Sequence, residues 1–400
     1  MTDQSSSSPP PRHGLDYGVH IPLLVHALGV QTVVALVRVT TSYRALELEL
    51  SVIWLGLISA SFALLPVFLG VFVGRFIDRG NDALSAWIGN ALMLVGCVGL
   101  ALSFSSALSL LFFTAVLGVG HIFLMASHQM ICIRSAGGDS RERAFGNFLV
   151  AAAVGQGLGP FFIGWLGAGA NIPPTQLLFN VGVAGIAVMM LVSFTLRPGA
   201  KPRTEVEESG VLSVSELLRT PGLTTVLIAS IITITAQDLV VIYLPLLGIE
   251  RGIDASQIGL LLTLRAGASI LARILYVQLI YTFGRWPLMV ASMLGSAASF
   301  LVLAVPLPLV AVYVVCAAMG FALGVASTLS ITSTVEVAPA RARATVMSIR
   351  ISGNRIGQVL LPLVAGAVAT AAGAAGVFVM IAVGLAASAV SVRSVPKSGG

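Results

Sequence analysis

Long apolar runs separated by short polar breaks dominate the chain. They fall near 19–41, 51–74, 84–103, 107–133, 144–167, 175–196, 222–247, 256–282, 287–305, 308–334, 344–371 and 375–392. A helix rises about 1.5 Å per residue, so roughly 20 apolar residues cross a hydrocarbon core of about 30 Å. Each of these twelve runs therefore predicts one membrane-spanning helix, and together they use most of the chain. The longest polar interruption, Arg197 to Thr220, divides them into six and six. Within it, Ser213-Val214-Ser215-Glu216 reads as a capping box opening a short surface helix.

The expected organisation is a disordered cytoplasmic tail over 1–16, a six-helix bundle over 17–197, a linker with a short surface helix over 198–220, and a second six-helix bundle with a short tail over 221–400. The bundles carry matching segments. Gly155-Gln156-Gly157-Leu158-Gly159-Pro160 in run five aligns with Gly357-Gln358-Val359-Leu360-Leu361-Pro362 in run eleven. At nearly the same offset, Leu55-Gly56-Leu57 in run two aligns with Ile258-Gly259-Leu260 in run eight. The fold class is thus an all-α membrane protein built from two pseudo-symmetric six-helix bundles.

Composition agrees with lipid as the solvent. Hydrophobic residues make up 57% of the 400 and charged residues 10%, against about 25% charged in an ordinary soluble domain. The net charge of +6 is spread over short loops, with no basic patch for nucleic acid. Those loops also set the orientation. Arg12, Arg75, Arg79, Arg134, Arg141, Arg143, Arg197, Lys201, Arg203, Arg219, Arg285, Arg341, Arg343, Arg393 and Lys397 fall on one side, and only Arg44 and Arg251 on the other. Positively charged loops stay in the cytoplasm, so both termini are expected there, in a bacterial cytoplasmic membrane. The opening segment lacks the basic start and short apolar stretch of a secretory signal. Cys97, Cys132 and Cys316 lie inside apolar runs and read as small core residues.

Between runs two and three stands Gly74-Arg75-Phe76-Ile77-Asp78-Arg79-Gly80. This resembles the loop motif of the major facilitator superfamily, Gly-x-Leu-x-Asp-Arg-x-Gly. Phe76 stands for the usual Leu, Asn81 for the second Gly, and Asp82 where the family carries a basic residue. The resemblance implies a cytoplasmic gate of Gly74, Asp78 and Arg79, with Asp78 pairing to a basic group or a helix terminus to latch the inner face. Gly155, Gln156, Gly159 and Pro160, followed by Ile163-Gly164, are similar to the helix-five signature of the family's exporters, with Ile163 where that signature has a first Gly. The family implies a central cavity between two halves and alternating access by rigid-body rocking.

Ionisable and polar groups inside the spans are the candidate site, because each is costly in hydrocarbon unless paired or wetted. Asp238 is the one acidic residue well inside a run, with Gln237 beside it. It reads either as a proton-coupling carboxylate or as a static ion-pair partner. Arg350, Asn354 and Gln358 repeat every four residues and form one stripe, expected to face the cavity. Arg355 lies off that stripe, and Arg265 adds further positive charge. Arg38 and Arg273 are expected to snorkel toward opposite interfaces. His121 and His128 share one face of run four and suit either a proton relay or structural hydrogen bonding, as do His26 and Gln31 in run one.

The sequence has no phosphate-binding loop, no His-Glu-x-x-His and no Cys-x-x-Cys. It predicts no metal, no cofactor and no enzymatic activity. The expected function is secondary active transport of a small organic solute, anionic or amphipathic because buried Arg outnumbers buried acid. Coupling to protons, efflux and a monomeric state are expected. Proton-coupled uptake of an organic acid is the alternative, and a non-transporting receptor or scaffold of the same fold is the rival from another class.

Overall fold

The computed structural model describes residues 16–103, 106–134, 140–167, 169–196, 214–339 and 342–393. Most of the expected tail and of the linker before Val214 therefore lies outside the described residues. The elements are α1 (Tyr17–Glu47), α2 (Ile53–Asp78), α3 (Asp82–Leu102), α4 (Ala107–Arg134), α5 (Ser140–Leu166), α6 (Thr175–Ser193), α7 (Val214–Leu218), α8 (Leu223–Arg251), α9 (Ala255–Ile274), α10 (Tyr276–Phe283), α11 (Arg285–Ala304), α12 (Leu309–Val337) and α13 (Arg343–Val392).

Eleven of these helices are long and apolar enough to cross a membrane, and the last supplies two of the expected crossings. α13 breaks at Ala372 and Gly373, where Gly373 takes φ +61°, a left-handed conformation that glycine adopts at little cost. The helix that restarts there is capped by Glu250, whose carboxylate accepts from the Ala374 N–H at 3.0 Å. An anion at a helix N-terminus satisfies open donors and complements the dipole. The eighth run bends at Leu275 into α9 and α10, but Leu275 keeps right-handed φ/ψ, so that run crosses once. The short helix α7 docks Leu217 onto Leu223 and Leu227 of α8 and Val346 of α13, as an amphipathic surface helix should.

Large apolar side chains cover the outside. Phe68, Trp165 and Val310 are each mostly exposed, a surface that lipid accommodates and water does not. Many hydroxyls inside the spans return to their own helix. Thr40 donates to the Leu36 carbonyl at 2.8 Å, Thr41 to Val37 at 2.7 Å and Ser296 to Ser292 at 2.8 Å. These three hydroxyls thereby enter hydrocarbon with their donors satisfied.

Helices α1–α6 and α8–α13 form two bundles that meet along α2 with α13 and α5 with α9. Both interfaces are tight at the end opposite the termini, here the distal end. A Cβ on Gly56 of α2 would collide with the Pro362 carbonyl and stand 3.0 Å from Gly366 Cα of α13. A Cβ on Gly259 of α9 would stand 2.6 Å from the Pro160 carbonyl and 2.7 Å from Gly164 Cα of α5. These are the repeat-matched positions, so one contact occurs twice under the pseudo-symmetry. Around it the Ala255 N–H donates to the Ala170 carbonyl at 2.8 Å, the Gly169 N–H to Ser256 Oγ at 3.2 Å and the Thr263 hydroxyl to the Gly157 carbonyl at 3.3 Å. Toward the terminal end, Gly74 in α2, Gly146 in α5 and Gly267 in α9 meet no atom within 4 Å of where a Cβ would stand.

The terminal end of the first bundle holds a buried ion pair. Arg134 Nη1, in the last turn of α4, lies 3.1 Å from Asp82 Oδ2, in the first turn of α3, with side-chain exposures of 6% and 0%. Each charge also complements its helix dipole. The expected latch residue Asp78 is exposed and forms no ion pair among the described residues. The unusual Asp82 of the loop motif takes the buried partner instead. Asp82→Asn is expected to lower stability by about 3–5 kcal/mol by stranding Arg134, and adding Arg134→Met to recover most of it. Thermal unfolding of the single and double variants in detergent checks this; equal losses in both would show that the pair contributes little.

Candidate functional site

Asp238 of α8 binds across the gap between the bundles. Its Oδ1 accepts from Arg38 Nη1 of α1 at 2.8 Å, and its Oδ2 accepts from Gln358 Nε2 of α13 at 2.6 Å. Gln358 Oε1 in turn accepts from Arg355 Nη1 at 3.3 Å. The Arg38–Asp238 pair is about one-sixth exposed on both sides, at 16% and 17%. The expectation that Arg38 snorkels to an interface is overturned, because its guanidinium turns to a carboxylate in the opposite bundle. Arg355 and Arg265 both lie within electrostatic range of Asp238, and Arg265 keeps its Nε buried without a protein partner. One carboxylate thus sits among three guanidinium groups.

The arrangement follows from helix geometry. Gln358 and Asn354 are one turn apart on α13 and both turn to α8, where Asn354 Oδ1 accepts from the Ser230 hydroxyl at 3.1 Å. Arg350, the third member of the stripe, turns instead to Ser330 of α12 at 3.5 Å. The stripe is engaged in contacts inside its own bundle, and only Gln358 reaches the gap. Gln237 faces away from the gap, toward the Leu323 carbonyl of α12 at 3.5 Å.

Phe62 of α2, which the sequence reading passed over, separates two polar groups. The Arg38 guanidinium lies 4.8 Å from its ring centroid, within cation–π range. The His121 ring lies 5.4 Å away. His121 Nε2 meets Gln31 Oε1 at 3.3 Å, and Gln31 Nε2 donates to Met125 Sδ at 3.3 Å. Deeper in the first bundle, His26 Nδ1 and His128 Nε2 are 2.7 Å apart, and Asn90 of α3 reaches His26 Nε2 at 3.0 Å. The histidines expected on one face of α4 are thus both used, each against a different α1 residue. Asn90 was also missed, although it is the one amide side chain in the middle of run three.

On the distal side of Arg38 a cavity of about 20 Å³ is lined by Arg38, Thr41, Ser42, Leu55, Ile58, Ser59, Phe62, Thr114 and Ile242. That is room for about one water. The described hydrogen bonds between the bundles are the central pair and the three distal contacts given above. Among the described residues no group of three or more His, Cys, Asp or Glu side chains is placed to hold a metal ion.

Two six-helix halves, a polar cluster at their interface and closure at one end define a membrane transporter rather than an enzyme. The sequence matches the family model described as Major Facilitator Superfamily over residues 21–252 and 226–399, and the chain belongs to that family. No curated protein matches it in sequence. Among solved structures it is similar to the nucleoside transporter NupG, with TM-score 0.79 and 14% identity over 94% of this chain and 98% of that one. It is similar to a D-xylose–proton symporter, with TM-score 0.76 and 16% identity over 95% and 98%. A bacterial homologue of the human lysosomal transporter Spinster matches with TM-score 0.73 and 16% identity over 98% and 100%. At these identities the likeness concerns the fold.

Proposed function

We propose that the protein moves a small organic anion across the bacterial cytoplasmic membrane in exchange for protons, working as an exporter with both termini in the cytoplasm. The observation that carries this reading is the Arg38–Asp238 pair across the two halves. A carboxylate shared between moving bodies is released and remade as they rock, and its proton affinity follows the distance to its Arg. With Arg38, Arg355 and Arg265 around one carboxylate, the site has spare positive charge. A bidentate acceptor such as a carboxylate complements spare guanidinium groups. Basic loops favour the termini inside, and the exporter-like Pro160 and Gly164 supply the contact that seals the distal end. One of the similar structures is a D-xylose–proton symporter, which keeps proton-coupled uptake as the second reading.

Purified protein in liposomes tests the proposal with a panel of organic anions and cations, each with and without an imposed pH gradient. Saturable anion flux that responds to the gradient is expected. Saturable movement of cations alone would remove the charge argument.

A further inference from the structure

Among the described residues, Arg350 is a buried cation without a counterion. Its side chain is 6% exposed, and its one hydrogen bond, from Nη2 to Ser330 Oγ, is long at 3.5 Å. Its Nε is buried with no partner, and so is the Ser333 hydroxyl, one turn along α12 from Ser330. The acidic groups of α8 and α12 are engaged elsewhere. Asp238 is held by Arg38 and Gln358, Glu250 caps the restart of α13, and Glu336 of α12 pairs with Arg285 at 2.6 Å. α13 itself contains no acidic residue.

A guanidinium does not give up its proton in proteins. Leaving it charged and uncompensated at this depth costs several kcal/mol. Arg350 Nε of α13 and the Ser333 hydroxyl of α12 are buried donors that lack an acceptor among the described residues, on the two helices that the Arg350–Ser330 bond joins. Ser330 already donates to the Ser327 carbonyl at 2.8 Å, so Ser333 is the freer hydroxyl. The site is separate from the central pair, since Arg350 lies eight residues, about 12 Å of helix, from Gln358.

We infer that Arg350, with Ser333 and Ser330, holds a small singly charged anion inside the second bundle. The chemistry suits a halide or a compact carboxylate. The first would be a resident ion, the second the charged group of a transported solute.

The test needs no knowledge of the substrate. Thermal unfolding of the purified protein in detergent is measured at constant ionic strength in sodium gluconate, chloride, bromide or acetate. Chloride, bromide or acetate is expected to raise the wild-type midpoint by about 3 °C or more over bulky gluconate, as ligand linkage requires. A halide response assigns a resident inorganic ion, and a response to acetate alone assigns a carboxylate. Arg350→Met is expected to lose the response while being at least as stable as wild type in gluconate, because it removes a lone buried charge. Ser333→Val, which leaves the cation in place, is expected to weaken the response. A wild-type midpoint equal in all four salts, or an anion response in Arg350→Met equal to that of wild type, overturns the inference.

Discussion

A leucine at Gly259 is expected to cut transport by about tenfold to hundredfold while leaving the protein folded. The reason is the closeness of α9 to α5, where Gly259 packs against the Pro160 carbonyl and the Gly164 backbone. An inserted side chain at such a contact costs about 1–3 kcal/mol, and each 1.4 kcal/mol is a tenfold change in population. The cost falls on the distally closed arrangement alone, because the contact exists only when the halves meet there. Gly56→Leu is expected to act alike through the Pro362 carbonyl and Gly366, since the two sites are related by the internal repeat. Flux in liposomes gives the loss. Spin labels on the distal ends of the two halves should show the distance distribution moving toward the open form. A variant that loses stability but keeps the wild-type distribution would make these glycines ordinary packing residues.

Arg38→Gln is expected to be nearly inactive and to lose about 1.5–3 kcal/mol of stability, because it removes the one cation in direct contact with Asp238 across the bundles. Gln358 still donates to Asp238 but brings no charge. Combining Arg38→Gln with Asp238→Asn should restore most of the stability, since a neutral amide tolerates the loss of its cation. It should not restore gradient-driven transport. Midpoints of thermal unfolding for the four members of the cycle, read beside flux, separate the two effects. Additive losses in the double variant would mean that the two residues do not act as a pair.

The fold was largely legible because lipid imposes one rule on the sequence. A span must be an apolar run of sufficient length, and loop charge then orders the runs. What remained unreadable was which residues meet. Asp238 stood out as a lone acid, but run positions alone could not choose Arg38 over Arg265, Arg350 or Arg355 as its partner. Choosing required the rotation of α1 against α8, which is set by packing rather than by hydropathy. The same limit applied to Phe62, an unremarkable aromatic until Arg38 and His121 lie on either side of it. The spacing of Arg350, Asn354 and Gln358 puts them on one face of α13, yet a helix face does not say whether its neighbour is a cavity or another helix. Asp82 was read as a departure from a family motif, while its place in the first turn of α3 near the last turn of α4 gave it Arg134.

The most direct measurement is solute movement through Asp238→Asn protein in liposomes, compared in two modes. In exchange of labelled for unlabelled solute with no gradient, the variant is expected to keep a substantial share of wild-type flux. Under an imposed pH gradient it is expected to show no net accumulation, whereas wild type accumulates solute. Accumulation that follows the gradient as well in Asp238→Asn as in wild type would contradict the account.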